Sequence, residues 1–184
     1  MSTLETERLI LRPWHAGDFA AFERYYADAD DARFVGGQKD REHAWRHLAL
    51  QLGHWALRGF GYWAVDEKAS GAFVGCAGLW QSPGFPEMEL GYWLVREHRG
   101  KGYAREACLR SREHARVALR APSLVSYIHP DNAASIAFAR SLGAVYERTP
   151  TWPPSVRTAC IGTSSCDRRP VTHANTSSTG LAVA

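Results

Sequence analysis

Hydrophobic positions in this chain recur with two spacings, and these divide it into strands and helices. Leu9, Ile10 and Leu11 form a short apolar run stopped by Pro13, which predicts a strand over 8–14. From Asp18 the spacing widens to three and four, with Phe19, Phe22 and Tyr26 on one stripe, as a helix requires. Residues 28–39 are polar and contain glycine, so the pattern predicts a loop. Asp40 then reads as an N-cap, and Ala44, Leu48, Leu52 and Trp55 repeat at helical spacing until Gly59 and Gly61 end the run. Three short aromatic segments follow, 61–65, 72–80 and 87–95, separated by turn-like residues, and these predict antiparallel neighbours. A helix is predicted over 103–120, with Ala104, Ala107, Cys108, Ser111, Ala115, Ala118 and Leu119 inward. A strand over 124–128, a helix over 131–142 closed by Gly143, and a strand from Ala144 to Glu147 complete the pattern.

After Pro153-Pro154 the pattern stops. All 21 aromatic residues lie at or before Trp152, whereas 155–184 holds five serines and five threonines and no lysine or glutamate. Such a segment cannot build a large core. The chain therefore divides into a folded domain over 1–154 and a Ser/Thr-rich, weakly ordered tail over 155–184, with one weak strand candidate at 156–161. A length of 184 residues fits one such domain, and 45% hydrophobic residues exclude an intrinsically disordered chain.

Charge and cysteines narrow the partners. A net charge of +3 sets up no field that demands nucleic acid or an anionic membrane. No run approaches the ~18 apolar residues of a membrane span. With a polar, acidic beginning (Met1 to Glu7), the expected compartment is the cytoplasm. Cys76, Cys108, Cys160 and Cys166 form no CxxC pair, and the eight histidines form no ligand motif, so free thiols and no metal are expected.

The segment Leu94-Val95-Arg96-Glu97-His98-Arg99-Gly100-Lys101-Gly102-Tyr103-Ala104 carries the clearest chemistry. A strand enters a loop with two glycines, and a helix starts at once. Glycines permit positive φ and close backbone approach, and the first amides of the helix lack internal partners at the positive end of its dipole. Four basic side chains between Arg96 and Arg105 face one acid, Glu97, a local excess of three. Together these make a cradle for a pyrophosphate. A Walker loop is absent, and a Rossmann fingerprint lacks its third glycine at Arg105. A tight turn on a solvated basic face is the other reading of the same residues.

Arg99-Gly100-Lys101-Gly102-Tyr103-Ala104 fits the pyrophosphate motif [Q/R]xxGx[G/A] of the GNAT superfamily of acetyl-CoA-dependent N-acetyltransferases. The opening Leu4 to Arg12 resembles the TERLxLR start of the branch that includes ribosomal-protein N-terminal acetyltransferases. Glu89 to Leu94, Asn132 to Ser135 and Leu142-Gly143-Ala144 resemble further segments of that branch, so the likeness covers residues 3–152. It implies an α/β fold: a central mixed sheet of six or seven strands with helices on both faces, splayed between two parallel strands to admit acetyl-CoA. Backbone groups of Leu94 and Val95 would then pair with the pantetheine amides. Arg99, Gly100, Lys101, Gly102, Tyr103 and Ala104 would hold the pyrophosphate, with Arg96 adding charge. Asn132 and Ser135 would hydrogen-bond the coenzyme, although capping of their own helix is an equally ordinary use of such residues. Two departures stand out. Many members carry a proton-donating tyrosine where this chain has Ala139, which leaves Ser135, Tyr103 or water as the donor. The usual final strand is also poor here, so an incomplete sheet edge is expected.

The resemblance implies transfer of an acetyl group to a primary amine by direct attack in a ternary complex. A protein or peptide α-amine is favoured; with a reference pKa near 7.7–8.0, about a tenth of it is neutral at pH 7. A small amine or amino-acid-like metabolite, or a non-catalytic CoA-binding protein, are the alternatives. Glu89 is the candidate base, sharing a strand face with Glu87, Gly91 and Trp93, while Glu87 is the weaker choice and an ion pair the bland one. Trp63, Trp80 and Trp93 read as core rather than as pocket walls, and Cys76 and Cys108 as small buried residues. Partners are acetyl-CoA and an amine acceptor, with a homodimer left open.

Overall fold

The computed structural model describes residues 2–148 and 157–161. Eight strands form one sheet: β1 (Leu4–Glu5), β2 (Leu9–Arg12), β3 (Tyr62–Glu67), β4 (Phe73–Trp80), β5 (Glu89–Leu94), β6 (Val125–Ile128), β7 (Ala144–Arg148) and β8 (Arg157–Ile161). Their spatial order is β1-β2-β3-β4-β5-β6-β8-β7. Every neighbouring pair is antiparallel except β5 and β6, which run parallel. The sheet is mixed, as expected, and exceeds seven strands because Leu4–Glu5 folds back on Ile10 and Leu11.

Alternation along the central strands feeds two cores. On one face, Val65, Leu79, Leu90 and Leu94 pack with Ala107, Cys108 and Ala115 of helix α4 (Tyr103–Val117), joined by Ala139 of α5 (Ala133–Ser141). On the other, Ala64, Cys76 and Trp93 meet Phe22, Tyr25 and Tyr26 of α1 (Phe19–Ala27) and Ala44 and Leu48 of α3 (Arg41–Arg58). Fully buried aromatics such as Trp63 and Phe22 each contribute on the order of 2–3 kcal/mol by leaving water.

Local signals explain the helix ends. The Asp40 side chain accepts from His43 N–H at 2.8 Å, and Gly59 closes α3 in the left-handed conformation. The stretch expected as a loop contains one short helix, α2 (Ala29–Ala32), capped by the Asp28 carboxylate. The first helix is pinned to the sheet by Arg12, whose guanidinium reaches buried Asp18 at 2.7 Å and also Asp66.

The expected tail divides in two. Arg157–Ile161 forms β8, which pairs with both β6 and β7, so the edge expected to be incomplete is filled. The other residues assigned to the tail, 155–156 and 162–184, lie outside the described residues. Among those described, no helix is long and apolar enough to cross a membrane.

Candidate active site

The parallel strands β5 and β6 pair at a single register position, Glu89 with Val125. Val125 N–H donates to Met88 O at 3.0 Å and the Ser126 hydroxyl to Leu90 O at 2.7 Å. Beyond these contacts the strands part. A cavity of about 610 Å³ occupies the gap, and its wall draws on both faces of the sheet, with Phe22 and Gln51 from one side and Phe138 and Ala139 from the other. An open passage through a sheet requires the ladder to break, and the single paired position is where it does so.

Glu89 belongs to the wall, on the face that α1 and α3 cover. Burial pushes its carboxyl up to about 7, partly offset by a hydrogen bond from the Tyr127 backbone. Next on the same face is Gly91, whose missing side chain makes room for the Tyr62 hydroxyl; a Cβ there would overlap it. Trp93 follows, stacked on Tyr25 with ring centroids 3.8 Å apart. Burial pushes His47, also in the wall, down to about 4, so it is neutral near pH 7. His54 accepts from Gln81 N–H through Nε2 and donates from Nδ1 to Phe60 O, and its ring stacks on Trp80.

The glycine loop leaves the carboxyl end of β5 through a 3₁₀ turn at Arg96–His98. Gly100 and Gly102 adopt φ of +75° and +84°, where a side chain would be strained. A Cβ at Gly100 would meet nothing within 4 Å, so the backbone lies open on that side. Helix α4 starts at once, and its first closing bond runs from Glu106 N–H to Gly102 O. The amides of Tyr103, Ala104 and Arg105 thus precede any helical partner. The charge around this loop is lower than its sequence implies. Asp31 of α2 takes both Arg96 at 2.9 Å and Arg99 at 3.0 Å, and Asp28 lies 3.4 Å from Arg96. Arg99 also donates to Leu94 O at 3.0 Å. Lys101 stays exposed.

A family model for the acetyltransferase (GNAT) domain matches residues 8–145. The chain belongs to the GNAT acetyltransferase family. An acetyltransferase from Agrobacterium tumefaciens is 35% identical, with a TM-score of 0.81 over 87% of this chain and 94% of its own. An uncharacterized N-acetyltransferase, p20, from Bacillus licheniformis is 28% identical over 148 residues, 77% of this chain and 82% of its own. The fold is shared with RimL, a ribosomal L7/L12 α-N-protein acetyltransferase solved with coenzyme A (15% identity, TM-score 0.69, 86% of this chain and 95% of its own).

GNAT enzymes use acetyl-CoA, and this GNAT domain has the features to hold it. The sheet is open between β5 and β6, two left-handed glycines expose backbone, and the first α4 amides are unpaired. Of the two backbone positions expected to meet pantetheine, Val95 N–H is already bonded to Val74 O at 3.1 Å. The carbonyls of Leu94 and Val95 each accept one bond, from Arg99 and from His98 N–H, and keep a second lone pair.

Asn132 and Ser135 both reach the cavity wall, and Asn132 also caps α5, its Oδ1 accepting from Ser135 N–H at 3.1 Å. Tyr103 is corrected as a proton donor: its hydroxyl bonds Glu67, Arg8 covers its ring at 4.7 Å, and it takes no part in the wall. Glu87 likewise lies outside the wall, and Trp63 is core, whereas Trp80 and Trp93 are wall residues. Two wall residues escaped the sequence reading. Tyr92 points from β5 toward α5, packed on Phe138 with ring centroids 4.5 Å apart, and like Ser135 it lines the cavity, so it brings the cavity a phenol that Ala139 does not. Gln51 occupies the inner stripe of α3, where a polar residue hides the helical period. The signal for Tyr92 was present, since strand alternation already set it opposite Glu89.

Proposed function

We propose that this GNAT domain transfers an acetyl group from acetyl-CoA to a primary amine by direct attack in a ternary complex, with Glu89 as the base. The observation that carries this reading is a carboxyl held near 7 in the wall of the gap, on the residue at which β5 and β6 pair before they part. A base with a pKa near working pH combines a useful deprotonated fraction with enough basicity to accept the ammonium proton. Acetyl-CoA supplies the acetyl group as a thioester and accepts its charge as a thiolate. Glu89 takes one proton from the ammonium; as the freed amine attacks, the C–N bond forms and the C–S bond breaks, and the second proton leaving the nitrogen has the thiolate as its final acceptor. The Ser135 and Tyr92 hydroxyls, both in the wall of the gap, can relay that proton to the sulfur.

The opening and strand motifs support a protein or peptide α-amine as the acceptor. A small amine is the second reading, supported by a wall with one carboxylate and no lysine or arginine, whose side toward Glu89 is mainly aromatic. Calorimetric titration with acetyl-CoA, followed by thiol release in the presence of primary amines, tests the proposal. Binding together with amine-dependent release supports it, whereas a folded protein that binds no acetyl-CoA refutes it. Glu89→Gln should lower kcat about 10²–10³-fold while leaving acetyl-CoA binding in place.

A further inference from the structure

The walls of the gap differ in character from the loop that precedes α4. Among the described residues lining the cavity, Glu89 is the only carboxylate, and there is no lysine or arginine. Aromatic rings dominate the side where Glu89 points: Phe22, Tyr26, Tyr62, Trp80, Phe85 and Trp93. An acceptor bearing a carboxylate or phosphate would find no cation there, and one bearing a second ammonium would find no second anion. Lys39 lies behind this wall, not in it, and its ammonium, 5.0 Å from the ring centroid of Tyr26, is already taken up by the backbone carbonyls of Gly36 and Gly37.

One polar group in this wall has no partner. Gln51 is 6% exposed, lines the cavity, and its Oε1 accepts no hydrogen bond. Buried acceptors are almost always satisfied in folded proteins, so an orphan facing a cavity points to a donor carried by whatever fills it. Its neighbours on α3 cannot serve. His54, three residues on, uses its one N–H on Phe60 O, and His47, four residues back, is packed between the rings of Phe22 and Tyr26.

Resting on the acetyltransferase reading above, we infer that the acceptor is an arylalkylamine: one ammonium on a short chain, a neutral aromatic body, and a hydroxyl or N–H on the ring that donates to Gln51 Oε1. The ammonium pairs with Glu89, the ring fills the aromatic side of the cavity, and the ring's polar group satisfies Gln51. Stacking and hydrogen bonding then select the substrate without any charge beyond the reacting amine.

The test uses the full chain with acetyl-CoA and five acceptors: tyramine, phenethylamine, spermidine, glutamate and a tetrapeptide with a free N-terminal serine. The expected kcat/KM for tyramine exceeds that for spermidine, glutamate and the peptide at least tenfold, and that for phenethylamine about tenfold. Gln51→Leu, checked by its melting curve, should bring the tyramine and phenethylamine values to near parity. Preference for the peptide or spermidine overturns the inference, as does failure of both aromatic amines while calorimetry shows acetyl-CoA bound. In those cases the acetyl-CoA reading survives, whereas loss of acetyl-CoA binding refutes both. A tyramine preference that persists in Gln51→Leu overturns the role of Gln51.

Discussion

Glu89 holds its proton more tightly than an ordinary carboxylate because charging it means losing water, and one backbone hydrogen bond repays only part of that loss. The same fact fixes the sign of two pH effects. A base must be deprotonated, so kcat/KM should rise through pH 7 and lose that limb in Glu89→Gln, which a pH–rate profile would show. Stability runs the other way. With a folded pKa near 7 against an ordinary 4.5, the native state binds the extra proton between those values, so burying Glu89 costs nothing below about pH 4.5 and most above 7. Glu89→Gln is therefore expected to melt about 3–6 °C above the parent at pH 8 and level with it near pH 4. Equal melting points at pH 8 would mean that the carboxyl is better solvated than its surroundings imply. Glu89 was legible in the sequence because strand alternation sets it beside a glycine on one face. Gln51 was not, since a lone glutamine in a helical stripe carries no chemical signature until the cavity it faces is seen.

Elements with their own capping and periodicity were read with little error. Helix α3 begins after Asp40 and ends at Gly59 because those two residues satisfy its ends locally. Strands β3, β4 and β5 lie where aromatic runs break at turns. Elements held mainly by distant partners were harder to see. The four residues of α2 are too few for a periodic signal, and that helix stands between its own cap at Asp28 and the arginines of a loop 65 residues on. Strand β8 was only a weak candidate because its stretch is poor in large apolar residues, yet it joins β6 to β7 through two antiparallel ladders. A chain ending at Pro154 loses both ladders and exposes the edge of β6, an invitation to aggregation. Such a chain should be insoluble or melt at least 10 °C lower than one ending at Ile161, by sedimentation and thermal denaturation. Equal behaviour of the two would show that β8 contributes little to the sheet.

Across the whole molecule, α2 and the glycine loop are tied by charge. Sequence spacing put an excess of three positive charges between Arg96 and Arg105, but the fold carries Asp28 and Asp31 against them. No local pattern could reveal this, since Asp31 and Arg99 meet only when α2 packs beside the end of β5. Arg96 and Arg99 are 62% and 45% exposed but Asp31 only 10%, so these ion pairs add modest stability, and Asp31→Asn, which keeps an oxygen for the guanidiniums, should fold and melt within about 3 °C of the parent. Its effect belongs to binding. Asp31 competes with the coenzyme's pyrophosphate for the two guanidiniums, and removing its charge leaves them free at the helix start. Acetyl-CoA should bind Asp31→Asn about 3–10-fold tighter at low ionic strength, and calorimetry in ~0.5 M salt should show most of that gain lost, because exposed charges are screened. Weaker binding by the variant would reverse the argument: the carboxylate would then be holding the arginines in the geometry the phosphates need, and the acid would be part of the cradle.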